Sequence, residues 1–165
     1  MPATPHYWLK NTPKEVLAAP FADQAARQQL LNAATSNKDD QLAITIWLTN
    51  IEQIHQFVRH VPDLAWELMD YATEPLTLIY AEAKPLIRGE NPPEEIAVRL
   101  ITQPELLKLL TTRQPWISVC TQDVSPDFPF EGWVTKKIEL KVKGKPPQKL
   151  KTMRVFDNGR FNILP

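Results

Sequence analysis

Four compact apolar segments constrain the fold of this chain more than any other feature of its sequence. They are rich in β-branched and aromatic residues and cover about residues 41–48, 75–80, 95–101 and 115–120. Short apolar segments bounded by prolines and polar residues are typical of buried strands. Segments of helical composition lie between them, and the sequence therefore predicts an α/β domain around a twisted mixed sheet with flanking helices.

The helices are predicted from composition and from capping residues. Helix-forming residues fill about 21–36 and 63–71. Asn50 is the expected N-cap of a helix between these two, and Thr102 is the expected N-cap of a helix that follows the third apolar segment. Residues 7–9 are expected to form a short strand.

The last third of the chain changes from alternating elements to strands alone. Ile138 and Leu140 alternate with lysine and glutamate, which is typical of a strand with one solvated face. Asp157-Asn158-Gly159 lies between two β-rich segments and is the strongest hairpin signal in the chain. We therefore expect an antiparallel hairpin at the C-terminal end.

Glycine is scarce, which excludes the common phosphate-binding loops. The chain has 4 glycines against 16 prolines, and the glycines are isolated from one another. Walker loops and dinucleotide fingerprints need several glycines close together, because backbone N–H groups must approach the phosphate. The single cysteine, Cys120, excludes an internal disulfide and a cysteine-based metal cluster. Without a long apolar stretch or a signal-peptide pattern, the expected location is the cytoplasm, with no membrane contact.

The charges are unevenly distributed although the net charge is zero. Residues 131–165 contain nine Lys or Arg and three Asp or Glu, whereas residues 1–130 contain ten and sixteen. Two interpretations follow: a lysine-rich edge strand that resists aggregation, which we favour, or a surface for nucleic acid. The residues of this predicted basic face are Lys136, Lys137, Lys141, Lys143 and Lys151.

Few titratable residues have the spacing of a catalytic or metal site. His55 and His60 are five apart on one predicted helix, so they point about 140° apart and cannot share a metal ion as an i,i+4 pair could. Cys120 ends a predicted strand and is interpreted as a packed thiol. Arg99 lies within an apolar strand, where it must pair, line a cleft or point outward, and the spacing alone favours an outward side chain.

Three strand segments resemble a known family. Pro75-Leu-Thr-Leu-Ile-Tyr80 is followed by Glu95-Ile-Ala-Val-Arg-Leu100, and Pro115-Trp-Ile-Ser-Val-Cys-Thr-Gln122 comes next. In this order they resemble the YrdC-like threonylcarbamoyl-AMP synthase family, whose members carry Pro-Leu-Thr and Ala-Val-Arg strands and then a Ser-Thr-Ser-Ala-Asn strand. The resemblance covers residues 41–126 well and the rest loosely.

The resemblance implies a fold, an activity and a site. Members fold around a twisted, mostly parallel sheet, and active members use ATP, threonine and bicarbonate to make threonylcarbamoyl-adenylate on the way to modified tRNA. Some were first described as double-stranded RNA binders. The resemblance therefore implies ATP with Mg²⁺ as cofactors if the activity is retained, and tRNA or double-stranded RNA as a partner. It implies that Thr77, Arg99 and Ser118 line the nucleotide and substrate cleft, with Lys38 near the phosphates.

The chain departs from the family at several phosphate-binding positions. Only Lys38 remains where the family has Lys-x-Arg, and Ser-Thr-Ser-Ala-Asn has become Ser118-Val-Cys-Thr-Gln122. The family's N-terminal Pro-Thr-Asp-Thr strand would fall at residues 3–9, without its glycine and with no strand before it. Losing one charged contact to a transferring phosphate typically costs about 10²–10³ in rate, so several losses favour a non-catalytic member.

We therefore expect residues 1–165 to form a single YrdC-like domain. Its expected parts are a shortened N-terminal region at 1–40, the best-matching core at 41–126 and a basic β-hairpin extension at 131–165. The expected function is residual nucleotide or double-stranded RNA binding linked to tRNA modification, without catalysis. The first alternative is an active threonylcarbamoyl-AMP synthase, and the second is a structural domain that forms a homodimer through a sheet edge left free by the short N-terminus.

Overall fold

One nine-stranded mixed sheet organises the fold. It is seen in a computed structural model that describes residues 5–10, 15–34, 42–72, 75–110, 114–140, 151–156, 158 and 160–164. The strands are β1 (Tyr7–Lys10), β2 (Val16–Pro20), β3 (Ile44–Leu48), β4 (Leu76–Tyr80), β5 (Ile96–Leu100), β6 (Trp116–Cys120), β7 (Lys136–Glu139), β8 (Lys151–Val155) and β9 (Phe161–Leu164). Their order in the sheet is β7-β1-β2-β6-β3-β5-β4-β8-β9. The four apolar segments are thus confirmed as strands, and they form the centre of the sheet with β2.

Short helices connect the strands. They are α1 (Gln24–Ala33), α2 (Asp63–Tyr71), α3 (Pro104–Leu109) and α4 (Phe130–Trp133), with 3₁₀ helices at Ile51–Gln56 and Thr121–Asp123. No helix in the described part of the chain is long and apolar enough to cross a membrane.

Side-chain caps determine where several helices begin. The Asp23 carboxylate accepts a hydrogen bond from the Ala26 backbone N–H at 3.1 Å and begins α1. The predicted cap at Asn50 is confirmed, since its side chain and that of Gln53 form a capping box. The cap predicted at Thr102 is wrong, because Gln103 occupies the N-cap position of α3.

The two histidines predicted on one helix are separated in the structure. The 3₁₀ helix that contains His55 ends at Gln56, so His60 lies beyond it. The chain leaves the helix there because Val58 forms a bridge to Ala83, and the next residue donates its backbone N–H to the Glu82 carbonyl at 2.8 Å. The expectation of a shared helix is therefore wrong.

Antiparallel pairs outnumber parallel ones among the described strands. The parallel pairs are β1 with β7, β3 with β5 and β4 with β8, and the other five pairs are antiparallel. β6 lies between β2 and β3 and runs opposite to both. The sheet is thus mixed, as the sequence predicts, and not mostly parallel, as the family resemblance implies.

The N-terminal region contains two described strands, β1 and β2. β2 is buried throughout, between β1 and β6, and ends at Pro20 just before α1. The strand that leads into the first helix is therefore β2. β1 pairs with β2 on one side and β7 on the other, so neither side of β1 is open among the described strands.

The C-terminal hairpin is confirmed, but residues 131–165 are not one hairpin. β8 and β9 pair antiparallel at one end of the sheet. β7 pairs parallel with β1 at the opposite end, where Tyr7 aligns with Lys136. The two halves of the expected basic extension are therefore separated by six strands.

The two faces of the sheet bury different cores. We call the face covered by α1, α2 and the Ile51–Gln56 helix the helix face; it buries residues such as Ile46, Val98 and Ile117. The opposite side is the second face. It buries Trp47 and Trp116 in one cluster with Leu106, which lies in α3, and Leu110, which follows it. Because side chains alternate along a strand, Thr77, Arg99 and Ser118 belong to the second face.

Candidate functional site

A row of side chains crosses the second face through the centre of the sheet. The strand registers align Trp116 with Trp47, Trp47 with Arg99 and Arg99 with Thr77. Ser118 lies two residues further along β6, opposite Thr45. At about 4.8 Å per strand and 3.3 Å per residue, the Cα atoms of Arg99 and Ser118 are roughly 12 Å apart. The structure therefore brings the three predicted cleft residues to one region of one face.

These same three residues stand apart from the rest of the chain by their burial. Among the described residues, the buried polar or charged side chains are Thr77, Arg99 and Ser118, with 4%, 5% and 2% of their surface exposed. A polar group is costly to bury unless it has a partner, and a charge costs far more than a hydroxyl. This cluster, reached from the strand motifs and independently from burial, is the candidate site.

The guanidinium of Arg99 lies over an aromatic ring. Its guanidinium carbon is 5.1 Å from the ring centroid of Trp47, within the range of a cation–π interaction. Burial lowers the pKa of Arg99 to about 10, and the charge interaction with Cys120 acts against this change. The group keeps its positive charge at neutral pH. The outward orientation favoured by spacing is wrong, because Arg99 is buried and its guanidinium lies against Trp47 on the neighbouring strand.

The two hydroxyl residues are also enclosed by protein. The Ser118 hydroxyl donates a hydrogen bond to the Thr45 carbonyl at 3.0 Å, across the β3–β6 pair. Thr77 is flanked in the sheet by Arg99 on β5 and Thr152 on β8. The Ser118 hydroxyl thus serves the sheet itself, and Thr77 adds a polar side chain beside the buried charge.

Two tryptophans that sequence reasoning assigned only to general packing define the environment of the site. The ring of Trp47 lies against the guanidinium of Arg99, and Trp116 stacks on Tyr7 with ring centroids 5.3 Å apart. The indole Nε1 of Trp116 is buried without a hydrogen-bond partner. The alternation along β3 and β6 places both rings on the face of Arg99, which a sheet order would have revealed and the sequence alone did not.

The described lysines of the predicted basic face lie at different places in the sheet. Lys136 aligns with Tyr7 on the second face, whereas Lys137 lies 4.0 Å from the ring centroid of Trp8 on the helix face. Lys151 is on β8, near the other end of the sheet. Lys38, Lys141 and Lys143 lie outside the described residues. The lysines that are close in sequence therefore diverge in space, because successive strand residues point to opposite faces.

A histidine–carboxylate pair, which the sequence did not indicate, connects the N-terminus to the body of the fold. His6 Nε2 is 2.9 Å from Asp23 Oδ2, and His6 Nδ1 is 3.1 Å from the Trp133 carbonyl. Burial alone would raise the pKa of Asp23, but the hydrogen bonds from His6 and from the α1 backbone outweigh it, and the pKa lies below its usual value. The pair faces away from Arg99 and has a structural role.

The fold is the YrdC-like fold. It is similar to a crystal structure of P. abyssi Sua5 complexed with L-threonine, at a TM-score of 0.60 and 18% identity, over 92% of this chain and 47% of that one. It is also similar to full-length HypF in its phosphate- and nucleotide-bound form, at 0.58 and 14%, over 97% and 26%. E. coli YciO matches at 0.55 and 15%, over 90% and 78%.

These similarities establish the fold and no more, since all the identities are low. The chain spans about half the length of the Sua5 structures that it matches, 46% and 47%. No protein-family model and no curated protein sequence matches it. What the chain does must therefore be argued from its own residues.

Proposed function

We propose that this chain is a non-catalytic YrdC-like domain in which the former substrate cleft has become packed core. The observation that carries the proposal is the burial of Arg99 against Trp47, next to the buried hydroxyl residues Thr77 and Ser118. An arginine that grips a phosphate must present its guanidinium fork to the ligand. Here that group faces an indole ring of the same chain.

ATP and Mg²⁺ do not fit this arrangement of residues. A triphosphate would need the buried guanidinium of Arg99 to be uncovered and the Ser118 hydroxyl to give up its bond to the Thr45 carbonyl. Both changes would expose core residues of the central strands.

The role that we propose is therefore one of binding or scaffolding, linked to tRNA modification by the resemblance of the chain to threonylcarbamoyl-AMP synthases. We propose that residues 1–165 act as one domain, since all nine described strands belong to one sheet.

A pyrophosphate assay tests the loss of catalysis. The chain is incubated with ATP, Mg²⁺, threonine and bicarbonate, with an active threonylcarbamoyl-AMP synthase as the positive control. We expect pyrophosphate release no faster than in the absence of protein. Release that requires all three substrates, that is abolished in Arg99→Met and that persists in Lys108→Met would refute the proposal. Lys108 is the matched control, because it is an exposed cation on α3.

RNA binding is a second candidate, supported by the surplus of six positive charges in residues 131–165. Filter binding of double-stranded RNA at several salt concentrations measures the number of phosphates contacted, because each contact adds about 0.9 to the slope of log K against log salt. Since Lys136 and Lys151 lie near opposite ends of the sheet, we expect a shallow slope of about two or three contacts. Absence of binding at low salt would end this candidate.

A further inference from the structure

The two ends of the sheet differ in chemistry. β7 forms one end, and its residues include Lys136, Lys137 and Glu139, whose charges resist pairing with another strand. β9 forms the other end with the sequence Phe-Asn-Ile-Leu and no charge. None of the described strands pairs with its outer side. An uncharged apolar edge strand is a template for strand addition.

The backbone of β9 presents its hydrogen-bonding groups outward at two positions. The Phe156 N–H donates to the Arg160 carbonyl at 2.9 Å, so this aligned pair is a hydrogen-bonded one. In an antiparallel ladder such pairs alternate, and the residues between them point their N–H and C=O groups away from the partner. The register of β8 and β9 therefore directs the backbone groups of Phe161 and Ile163 to the open edge.

Exposed apolar side chains accompany this edge. Ile163 is 70% exposed and Phe161 is 46% exposed, and both lie on the helix face, where they align with the buried residues Met153 and Val155. Met153 and Tyr71, which is 82% exposed, both line a groove of about 500 Å³. The apolar patch, defined as Tyr71, Phe161 and Ile163, exposes roughly 350–400 Å².

We propose that a second copy of this chain docks on β9, with the two β9 strands antiparallel about a two-fold axis at Asn162. This register pairs Phe161 of each copy with Ile163 of the other. The outward N–H and C=O groups of all four residues then hydrogen-bond across the interface, and each aromatic side chain lies beside a β-branched one. Asn162 meets its own copy on the second face, where two amides can hydrogen-bond. No charged residue of Phe161–Leu164 faces a like charge, because the strand has none.

The area of the patch supports a second copy as the occupant. A stable interface buries about 1,200 Å² in total, or about 600 Å² per partner. The three patch residues supply more than half of that, and the paired strand backbones with Asn162 and Arg160 extend it. A two-fold contact also closes on itself, so it produces a dimer and not a fibre.

Sedimentation and hydrogen exchange test the proposal together. At about 100 µM we expect twice the mass of one chain, and protection of the Phe161 and Ile163 amides that rises with protein concentration. Protection of the Asn162 amide, which faces β8, is expected at every concentration. A single-chain mass at that concentration, or protection of Phe161 and Ile163 that does not depend on concentration, overturns the proposal.

Two variants distinguish the edge from general apolar association. Ile163→Lys places like charges within the interface and is expected to weaken dimerisation at least about tenfold. Because the Ile163 side chain is exposed, the circular dichroism spectrum and the urea denaturation midpoint of the monomer should not change. Phe156→Lys adds the same charge on the opposite face of the hairpin and is expected to leave the dimer intact. Equal dimerisation of Ile163→Lys and the native chain, or equal loss in both variants, contradicts the proposed interface.

Discussion

The contact between Trp47 and Arg99 predicts a measurable coupling free energy. Trp47→Leu keeps an apolar side chain on β3 but removes the ring face that lies 5.1 Å from the guanidinium carbon. Arg99→Met removes the charge and keeps most of the volume. A buried charge replaced by a well-packed apolar residue is often neutral or stabilising, so Arg99→Met by itself should change the free energy of unfolding by less than about 1 kcal/mol.

The double-mutant cycle isolates the interaction from packing. In the native background Trp47→Leu loses both packing and the cation–π attraction, whereas in the Arg99→Met background it loses only packing. Because the pair is desolvated, we expect a coupling free energy of about 1–2 kcal/mol. With a urea m-value of about 2 kcal/mol/M, this corresponds to about 0.5–1 M in the denaturation midpoint, which urea unfolding resolves.

Additivity would contradict this reasoning. A coupling below about 0.3–0.5 kcal/mol is what independent sites give, and it would mean that Trp47 does not hold the charge of Arg99. Trp47→Phe is the matched control, since it retains an aromatic face and should retain most of the coupling. If it loses as much as Trp47→Leu, the indole contributes through volume and not through its π-face.

Other predictions concern single contacts. Asp23→Ala should cost about 1–2 kcal/mol in urea unfolding, because the α1 cap and the contact with His6 are lost together, whereas Asp23→Asn should cost less by keeping the cap; equal costs would mean that the cap alone matters little. The pKa of Asp23 is below its usual 3.8 in the folded chain. The stability that this carboxylate contributes is therefore fully present above that pH and is lost as the pH falls. The Asp23→Asn variant should accordingly show a weaker decline of the free energy of unfolding below about pH 4. Ser118→Ala should cost about 1 kcal/mol by leaving the Thr45 carbonyl with one bond fewer, and no loss would mean that this carbonyl is satisfied by the ladder. Tyr80→Phe should cost under about 1 kcal/mol, since the buried hydroxyl donates to the Met69 sulfur, a weak acceptor, at 3.6 Å, and a larger loss would reveal a stronger acceptor.

Local patterns in the sequence were sufficient for most elements. The compact apolar segments became β3 to β6, the period-2 segment contains β7, and the Asp157–Gly159 signal lies between β8 and β9. α2 spans the predicted residues 63–71. The strand Val16–Pro20 was missed, because an Ala- and Pro-containing segment carries little β signal and its strand character comes from burial between β1 and β6.

The candidate site was found from strand motifs and misjudged in its environment. Thr77, Arg99 and Ser118 were selected from the resemblance, and they are the buried polar side chains of the described chain. The environment of the Arg99 side chain depends on which residue of a neighbouring strand lies beside it. That strand is β3, whose alignment with β5 brings Trp47 next to the guanidinium, and no local pattern specifies this pairing.

Periodicity and caps act over a few residues, so they specify the strands and helices and the polar residues inside them. The order of the strands emerges in the folded sheet, and with it the separation of the lysines, the contact of Arg99 with Trp47 and the apolar end at β9. Strand pairing joins residues far apart in the chain, so its register follows from the packing of the whole sheet and not from any segment within it.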